Sequence, residues 1–166
     1  MRAYLFRHGP AESRDPTRWP EDEDRPLTRP GERETRAAAL GFAEIADDVN
    51  VVVASPAVRA RRTAEHVHAA LGIDRGIIYW DELRPGSAAA PVLERLGRLS
   101  GRPVPVLVGH EPTLSELVGL ALSGDSVSYV HVGKAGAVAV DFASKVAPGA
   151  GELAWLLTRG QLGRLG

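Results

Sequence analysis

VNVVVASPAVRARRTAEHVHAAL, residues 49–71, passes from a run of apolar β-branched residues into a helical pattern within a few positions. Residues 49–54 are nearly all apolar, as a strand covered on both faces requires. Ser55-Pro56 then turns the chain. Over 57–71, Ala60, Ala64, Val67 and Leu71 return to one face at spacings of four, three and four, the signature of an amphipathic helix. Repeated along a chain, this strand-then-helix unit marks an α/β protein.

It does repeat. Residues 3–6 read as a first strand. Residues 9–29 form a long charged loop broken by Gly9, Pro10, Pro16, Pro20 and Pro26, and loops of that length are usually functional. Pro30-Gly31 lead into a helix over 32–46, rich in Ala, Glu and Arg. Downstream the sequence predicts a strand over 76–80, a helix over 88–99, a strand over 104–108 and a helix over 113–122. Residues 136–142 and 152–157 read as strands with no helix between them, an antiparallel edge on a mostly parallel sheet. Gly163 to Gly166 reads as a frayed tail. The prediction is therefore one three-layer α/β/α domain spanning residues 1–166.

Composition narrows the function. The chain has 166 residues, of which 44% are hydrophobic and 25% charged, a globular composition. Twenty basic against twenty-one acidic residues leave a formal net charge of -1, so neither nucleic acid nor an anionic membrane is the expected partner. There is no cysteine, which excludes disulfides, thiolate nucleophiles and Cys-based metal clusters. No apolar run reaches the ~20 residues of a transmembrane helix, and the first residues lack a signal-peptide core. A cytoplasmic location is the default expectation.

Three predicted strands end in reactive residues. The first runs into Arg7-His8-Gly9. The second runs into Ser55-Pro56, with Arg59 one helical turn on. The fourth runs into Gly109-His110-Glu111. Ligands of open α/β sheets bind at the carboxyl ends of parallel strands. If these strands are neighbours, Arg7, His8, Arg59 and His110 converge on one point. Two guanidiniums and two imidazoles there suit a doubly charged phosphoryl group. Any one of the four taken alone reads as structural or solvated; their repetition at three strand ends is what a purely structural reading does not predict.

The same residues resemble the histidine phosphatase superfamily, also called phosphoglycerate-mutase-like. Arg7-His8-Gly9 follows the first strand as in that family. Leu27-Thr28 with Gly31 resembles its "LT-x-x-G", residues 55–64 resemble "S-P-x-x-R-A-x-x-T-A", and Val108-Gly109-His110 resembles its late "V-x-H" segment. The resemblance implies a phosphoglycerate-mutase-like fold and a covalent mechanism without metal or other cofactor. His8 would attack phosphorus and become phosphohistidine, while Arg7, Arg59 and His110 would bind phosphoryl oxygens. Ser55 is assigned either to the pocket wall or to the strand-to-helix turn. The physics agrees: neutral imidazole, with a reference pKa of ~6.5, is a competent nucleophile near pH 7. A zinc site from His8 and His110 needs a third ligand, for which the sequence offers no motif.

Two departures refine the expectation. Pro10-Ala11 follow Arg-His-Gly where many relatives carry an acidic residue or Gln. More consequentially, Asp81-Glu82-Leu83-Arg84-Pro85-Gly86 places Pro85 where ester-cleaving relatives carry a general-acid Glu. Glu82 or Asp81 is the candidate substitute, in a different register. Expelling an alkoxide requires a proton donor, whereas the ring nitrogen of a phosphoramidate accepts a proton readily. Short length and "L-x-P" resemble the bacterial phosphohistidine phosphatases of the SixA type, implying a phosphohistidine-bearing protein as substrate. A small-metabolite phosphomonoesterase is the alternative within the family. A phosphate-binding module without turnover is the alternative from another class.

Other residues are set aside. His66 and His68 lie two apart on a helix and so point to different sides. Arg61 and Arg62 leave the direction of Arg59. The acidic run from Glu21 to Asp24 reads as a solvated rim, and the tryptophans as packing or edge residues. His131 sits in a polar segment near Lys134, a rim position at most.

Overall fold

The computed structural model describes residues 1–46, 48–101 and 103–166. In chain order the elements are β1 (Arg2–Arg7), α1 (Arg29–Ala43), β2 (Val51–Ala54), α2 (Val58–Leu71), β3 (Ile78–Tyr79), α3 (Ala89–Gly97), β4 (Pro105–Gly109), α4 (Thr113–Ser123), β5 (Ala137–Phe142), β6 (Gly151–Leu157) and α5 (Arg159–Leu162). Single 3-10 turns cover Asp22–Asp24 and Asp81–Leu83.

Apolar runs such as Val51-Val52-Val53 have no polar face to offer solvent, so they must be sandwiched. The sheet does this in the order β3-β2-β4-β1-β5-β6. β3, β2, β4 and β1 are parallel; β5 and β6 are antiparallel additions at one edge. Side chains alternate between the two faces with the period of two that a strand dictates. Leu5, Val53 and Leu107 pack with α3 and α4. Tyr4, Phe6, Val52, Val106 and Val108 pack with α1 and α2 on the opposite face. Tyr4 and Phe6 each meet Phe42 edge-on, at ring-centroid distances of 5.3 and 5.5 Å.

Three expectations need correction. α1 begins at Arg29, because Thr28 caps it by accepting from Gly31 N at 2.9 Å and Pro30 fits the first turn, where no helical N–H is required. The strand expected over 76–80 shrinks to Ile78–Tyr79, both exposed on an edge, so periodicity overestimated it. The tail expected to fray, residues 163–166, is a hydrogen-bonded turn that follows a short helix: Gly163 N donates to Arg159 O at 2.9 Å, Arg164 N to Gln161 O at 3.2 Å and Leu165 N to Leu162 O at 2.9 Å. Thr158 and Gln161 form a capping box that starts α5, and Leu162 is fully buried against α1. Gly41 makes that approach possible, since a Cβ there would lie 1.8 Å from the Leu162 carbonyl oxygen.

The packed tail is testable. Removing the Leu162 side chain beyond Cβ should leave a cavity costing about 2–5 kcal/mol. Leu162→Ala should therefore lower the urea midpoint clearly at unchanged m-value; a midpoint within experimental error of wild type would mean the terminus is dispensable.

Candidate active site

Register brings the reactive residues together. Arg7 on β1 pairs with Gly109 on β4, and Ala54 on β2 pairs with Val108. The three carboxyl ends are thus side by side. His8 N donates to Gly109 O at 3.0 Å and Ser55 N to Val108 O at 2.9 Å, which carries the ladder one residue past the strands. The His8 and His110 rings lie 4.9 Å apart, centroid to centroid. Arg59 enters from the first turn of α2. His8, Arg59 and His110 are 6%, 2% and 2% exposed.

The surrounding motif residues have packing reasons. Gly9 must lack a side chain, since a Cβ would lie 1.8 Å from Thr35 Oγ1. Its N–H donates to Thr63 Oγ1 at 3.0 Å, and Thr63 Oγ1 donates to Arg59 O at 2.7 Å. One threonine therefore links the backbones of the first and second motifs. Gly31 is equally constrained: a Cβ would meet Pro10 O at 2.0 Å. An isolated bridge between Ala11 and Leu27 closes the long loop at its base.

Within this frame the protonation pattern is defined. His8 Nδ1 lies 2.7 Å from Gly9 O. A carbonyl can only accept, so Nδ1 carries the proton and Nε2 keeps its lone pair. Burial, with help from the Arg59, Arg7 and Lys134 charges, pushes the His8 pKa down to about 3. Burial and then His8 and Arg59 push His110 down to about 2. Both rings are neutral at pH 7. His110 Nε2 lies 2.9 Å from Ser55 Oγ, which makes Ser55 part of the pocket wall; Ser55 Oγ also accepts from Ala57 N at 3.3 Å, so it serves the turn as well.

Arg7 and Arg59 have lowered pKa values, chiefly through burial, but a guanidinium remains charged at any working pH. Arg59 is held by Asp22, donating to its carbonyl at 2.7 Å and its carboxylate at 2.9 Å. Asp22 also pairs with Arg25 at 3.1 Å. Arg7 donates to Val132 O at 2.8 Å. Among the described residues, three buried side-chain nitrogens of this site have no partner: Arg7 Nε, Arg59 Nε and His110 Nδ1. Buried polar atoms are nearly always satisfied, so three orphans on these residues mark a site shaped for an anion with several oxygens.

Arg7, His8, Ser55, Arg59 and His110 are thus brought together. Glu82 is not. Its carboxylate accepts from Arg95 on α3 at 2.6 Å, and Arg95 stacks over Trp80 at 4.6 Å. The acidic run is also not a solvated rim throughout: Asp22 binds Arg59 and Arg25, and Glu23 pairs with Arg84. Sequence reasoning missed Asp22, Arg25 and Thr63. Thr63 stood within the quoted motif, and Asp22 and Arg25 lay three apart just before Leu27-Thr28; neither pattern signalled a contact with Arg59. Among the described residues no group of three His, Asp or Glu side chains is placed to hold a metal ion.

A buried guanidinium, a half-buried one and two neutral imidazoles gathered at the carboxyl ends of a parallel sheet suit an α/β enzyme that handles phosphoryl groups. Residues 3–86 match the model of the histidine phosphatase superfamily (branch 1), and the chain belongs to that superfamily as a phosphatase. An uncharacterised protein from Picosynechococcus sp. is 35% identical over 141 residues, 83% of each chain. Among solved structures, the protein histidine phosphatase SixA complexed with tungstate shares the fold at a TM-score of 0.83 and 24% identity, covering 98% of this chain and 99% of that one. Phosphoserine phosphatase from Entamoeba histolytica, complexed with 3-phosphoglyceric acid, shares it at 0.71 and 15%, covering 97% and 98%.

The buried imidazoles carry a stability signature. Both His8 and His110 have folded pKa values below the unfolded ~6.5, so below that pH the unfolded chain binds more protons. Stability should be full above pH 6.5 and fall as pH drops toward 3, by up to about 1.4 kcal/mol per pH unit for each ring. Between pH 6.5 and 5 carboxylates stay ionised in both states, which isolates the histidines. Urea unfolding across that window should show the decline, and a shallower slope in His8→Asn; a flat profile would mean the rings are protonated in the fold.

Proposed function

We propose that this phosphatase hydrolyses phosphohistidine on a protein through a covalent phosphohistidine on His8, without a metal ion. The observation that carries the reaction is the His8 ring itself: buried, neutral, with Nδ1 pinned to Gly9 O and the Nε2 lone pair available. Attack by Nε2 forms the N–P bond as the bond to the leaving group breaks. Arg7, Arg59 and His110 supply donors to the phosphoryl oxygens, and their unpartnered nitrogens support that role. Phosphoryl transfer asks mainly for positioning and charge stabilisation, and two guanidiniums provide charge that a metal would otherwise bring. Water then cleaves the N–P bond of the intermediate, returning His8 and releasing inorganic phosphate.

The leaving group favours a phosphoramidate. Pro85 stands where an acid is expected, and Glu82 is committed to Arg95. Phosphohistidine leaves as an imidazole, whose nitrogen takes a proton from water far more readily than an alkoxide precursor does. The shared fold with SixA is consistent with this substrate, and tungstate is a phosphate-shaped oxyanion.

The test is hydrolysis in EDTA of a phosphohistidine peptide beside a panel of phosphate monoesters. The peptide should be cleaved far faster. His8→Ala should be inactive, and Arg59→Ala should lose roughly 10²–10³ in kcat, as removal of one transition-state donor does. Brief incubation of wild type with labelled substrate should trap an acid-labile, base-stable label absent from His8→Ala. Faster ester cleavage would make the chain a metabolite phosphomonoesterase, and binding without a label would make it a phosphate-binding module.

A further inference from the structure

Beside the phosphoryl site lies an open depression of about 510 Å³, between the segment before β5 and the residues after β6. Arg7, His131, Lys134, Thr158 and Arg159 line it. Arg7 belongs to both sites, so whatever fills the depression lies next to a phosphoryl group held at His8.

The segment that carries Lys134 is fixed to the backbone of the reactive residues. Ala135 N donates to the carbonyls of Arg7 at 3.1 Å and His8 at 3.2 Å. Arg7 donates to Val132 O at 2.8 Å, and Val132 N donates to the Glu111 carboxylate at 2.9 Å. Ala135 itself holds φ at +54°, a left-handed conformation that a residue with a Cβ adopts only under constraint. This is a built wall.

The cations lining it differ in commitment. Arg159 is paired with Glu34 at 2.7 Å. Arg7 is turned to Val132 O, with His131 Nε2 at 3.4 Å from the same guanidinium nitrogen. Lys134 has neither an ion pair nor a side-chain hydrogen bond among the described residues. Its ammonium is exposed, yet close enough to disfavour protonation of His8. An unpaired, exposed cation at the mouth of an anion site attracts a second anion.

We infer that Lys134 is a specificity determinant that holds a carboxylate of the substrate in this depression while the phosphoryl group sits against His8. This rests on the phosphoryl site proposed above. On a protein substrate the carboxylate is that of an Asp or Glu flanking the phosphohistidine; on a small ester it is the metabolite's own.

Two matched pairs separate these sources. One is a phosphohistidine peptide with flanking Glu against the same peptide with Gln. The other is 3-phosphoglycerate against glycerol 3-phosphate. The readout is the ratio of kcat/KM, acidic over neutral, in wild type, Lys134→Gln and Lys134→Arg. For a partly exposed ion pair the wild-type ratio should be about five. It should fall to near one in Lys134→Gln, persist in Lys134→Arg and shrink at high salt. A preference in the peptide pair assigns a protein carboxylate, and one confined to the ester pair assigns a metabolite. A wild-type ratio near one in both pairs, or a ratio that survives in Lys134→Gln, overturns the inference. If nothing is turned over, the proposed reaction falls, and the same ratios measured as calorimetric affinities decide the role of Lys134 separately.

Discussion

Two guanidiniums and two imidazoles must share one largely buried site, and their mutual repulsion and desolvation set the terms for everything around them. A buried charge without a partner is too costly to keep. The fold meets this by keeping both rings neutral and giving each guanidinium a fixed acceptor. Arg59 has the carboxylate and carbonyl of Asp22, and Arg7 has the carbonyl of Val132 with the favourable field of Glu111. What remains unsatisfied is one nitrogen on each of Arg7, Arg59 and His110. The cations are therefore compensated as the site stands, and the remaining donors are those that the proposed function assigns to an oxyanion.

The same constraint explains the long loop after β1. Its base is closed by the Ala11–Leu27 bridge and by Thr28 N donating to Pro10 O at 3.0 Å. Gly31 fits against that carbonyl, and Thr28 then caps α1. Further out, Arg25 donates to Glu12 O at 2.7 Å, which fixes the turn that presents Asp22. Glu23 reaches Arg84, next to Pro85. A segment that reads as charged and irregular is thus a strap, tied to β1, α1, α2 and the turn after β3. Its acidic residues counter cations whose charge the site needs.

This division between local and non-local information accounts for what the sequence disclosed. Strand and helix identity were legible because they rest on periodicity: 49–54 as a buried run, 57–71 as an amphipathic face. The convergence of Arg7, His8, Arg59 and His110 was legible because parallel strands put their carboxyl ends on one side, and the motifs identified which strands carried reactive residues. Partners set by tertiary packing were not legible. Nothing local distinguishes Asp22 from Glu21 or Asp24, yet only its position in the 3-10 turn brings a carboxylate to Arg59. Likewise Leu162 lies in a short Gly-rich tail, and its burial depends on Gly41, more than a hundred residues earlier. The Thr158-x-x-Gln161 box was visible and could have announced α5.

Glu82 shows most clearly how placement decides chemistry. Two positions in its segment were candidates for the missing acid, and a carboxyl group is chemically adequate as a proton donor. To act, it must reach the leaving group and carry a proton near pH 7. The Glu82 carboxylate is instead held at 2.6 Å by the guanidinium of Arg95, which stacks over Trp80, and so is committed to α3. Asp22, which does border the site, is held below the usual carboxylate range by Arg59 and Arg25 despite its partial burial, and so stays ionised. Glu111 spends its oxygens on Ser115 and on Val132 N. With these carboxylates committed to cations, hydroxyls or amides, the burden of accepting a proton passes to the leaving group. Under the proposed function, a ring nitrogen that is protonated near neutral pH meets that demand where an ester oxygen does not.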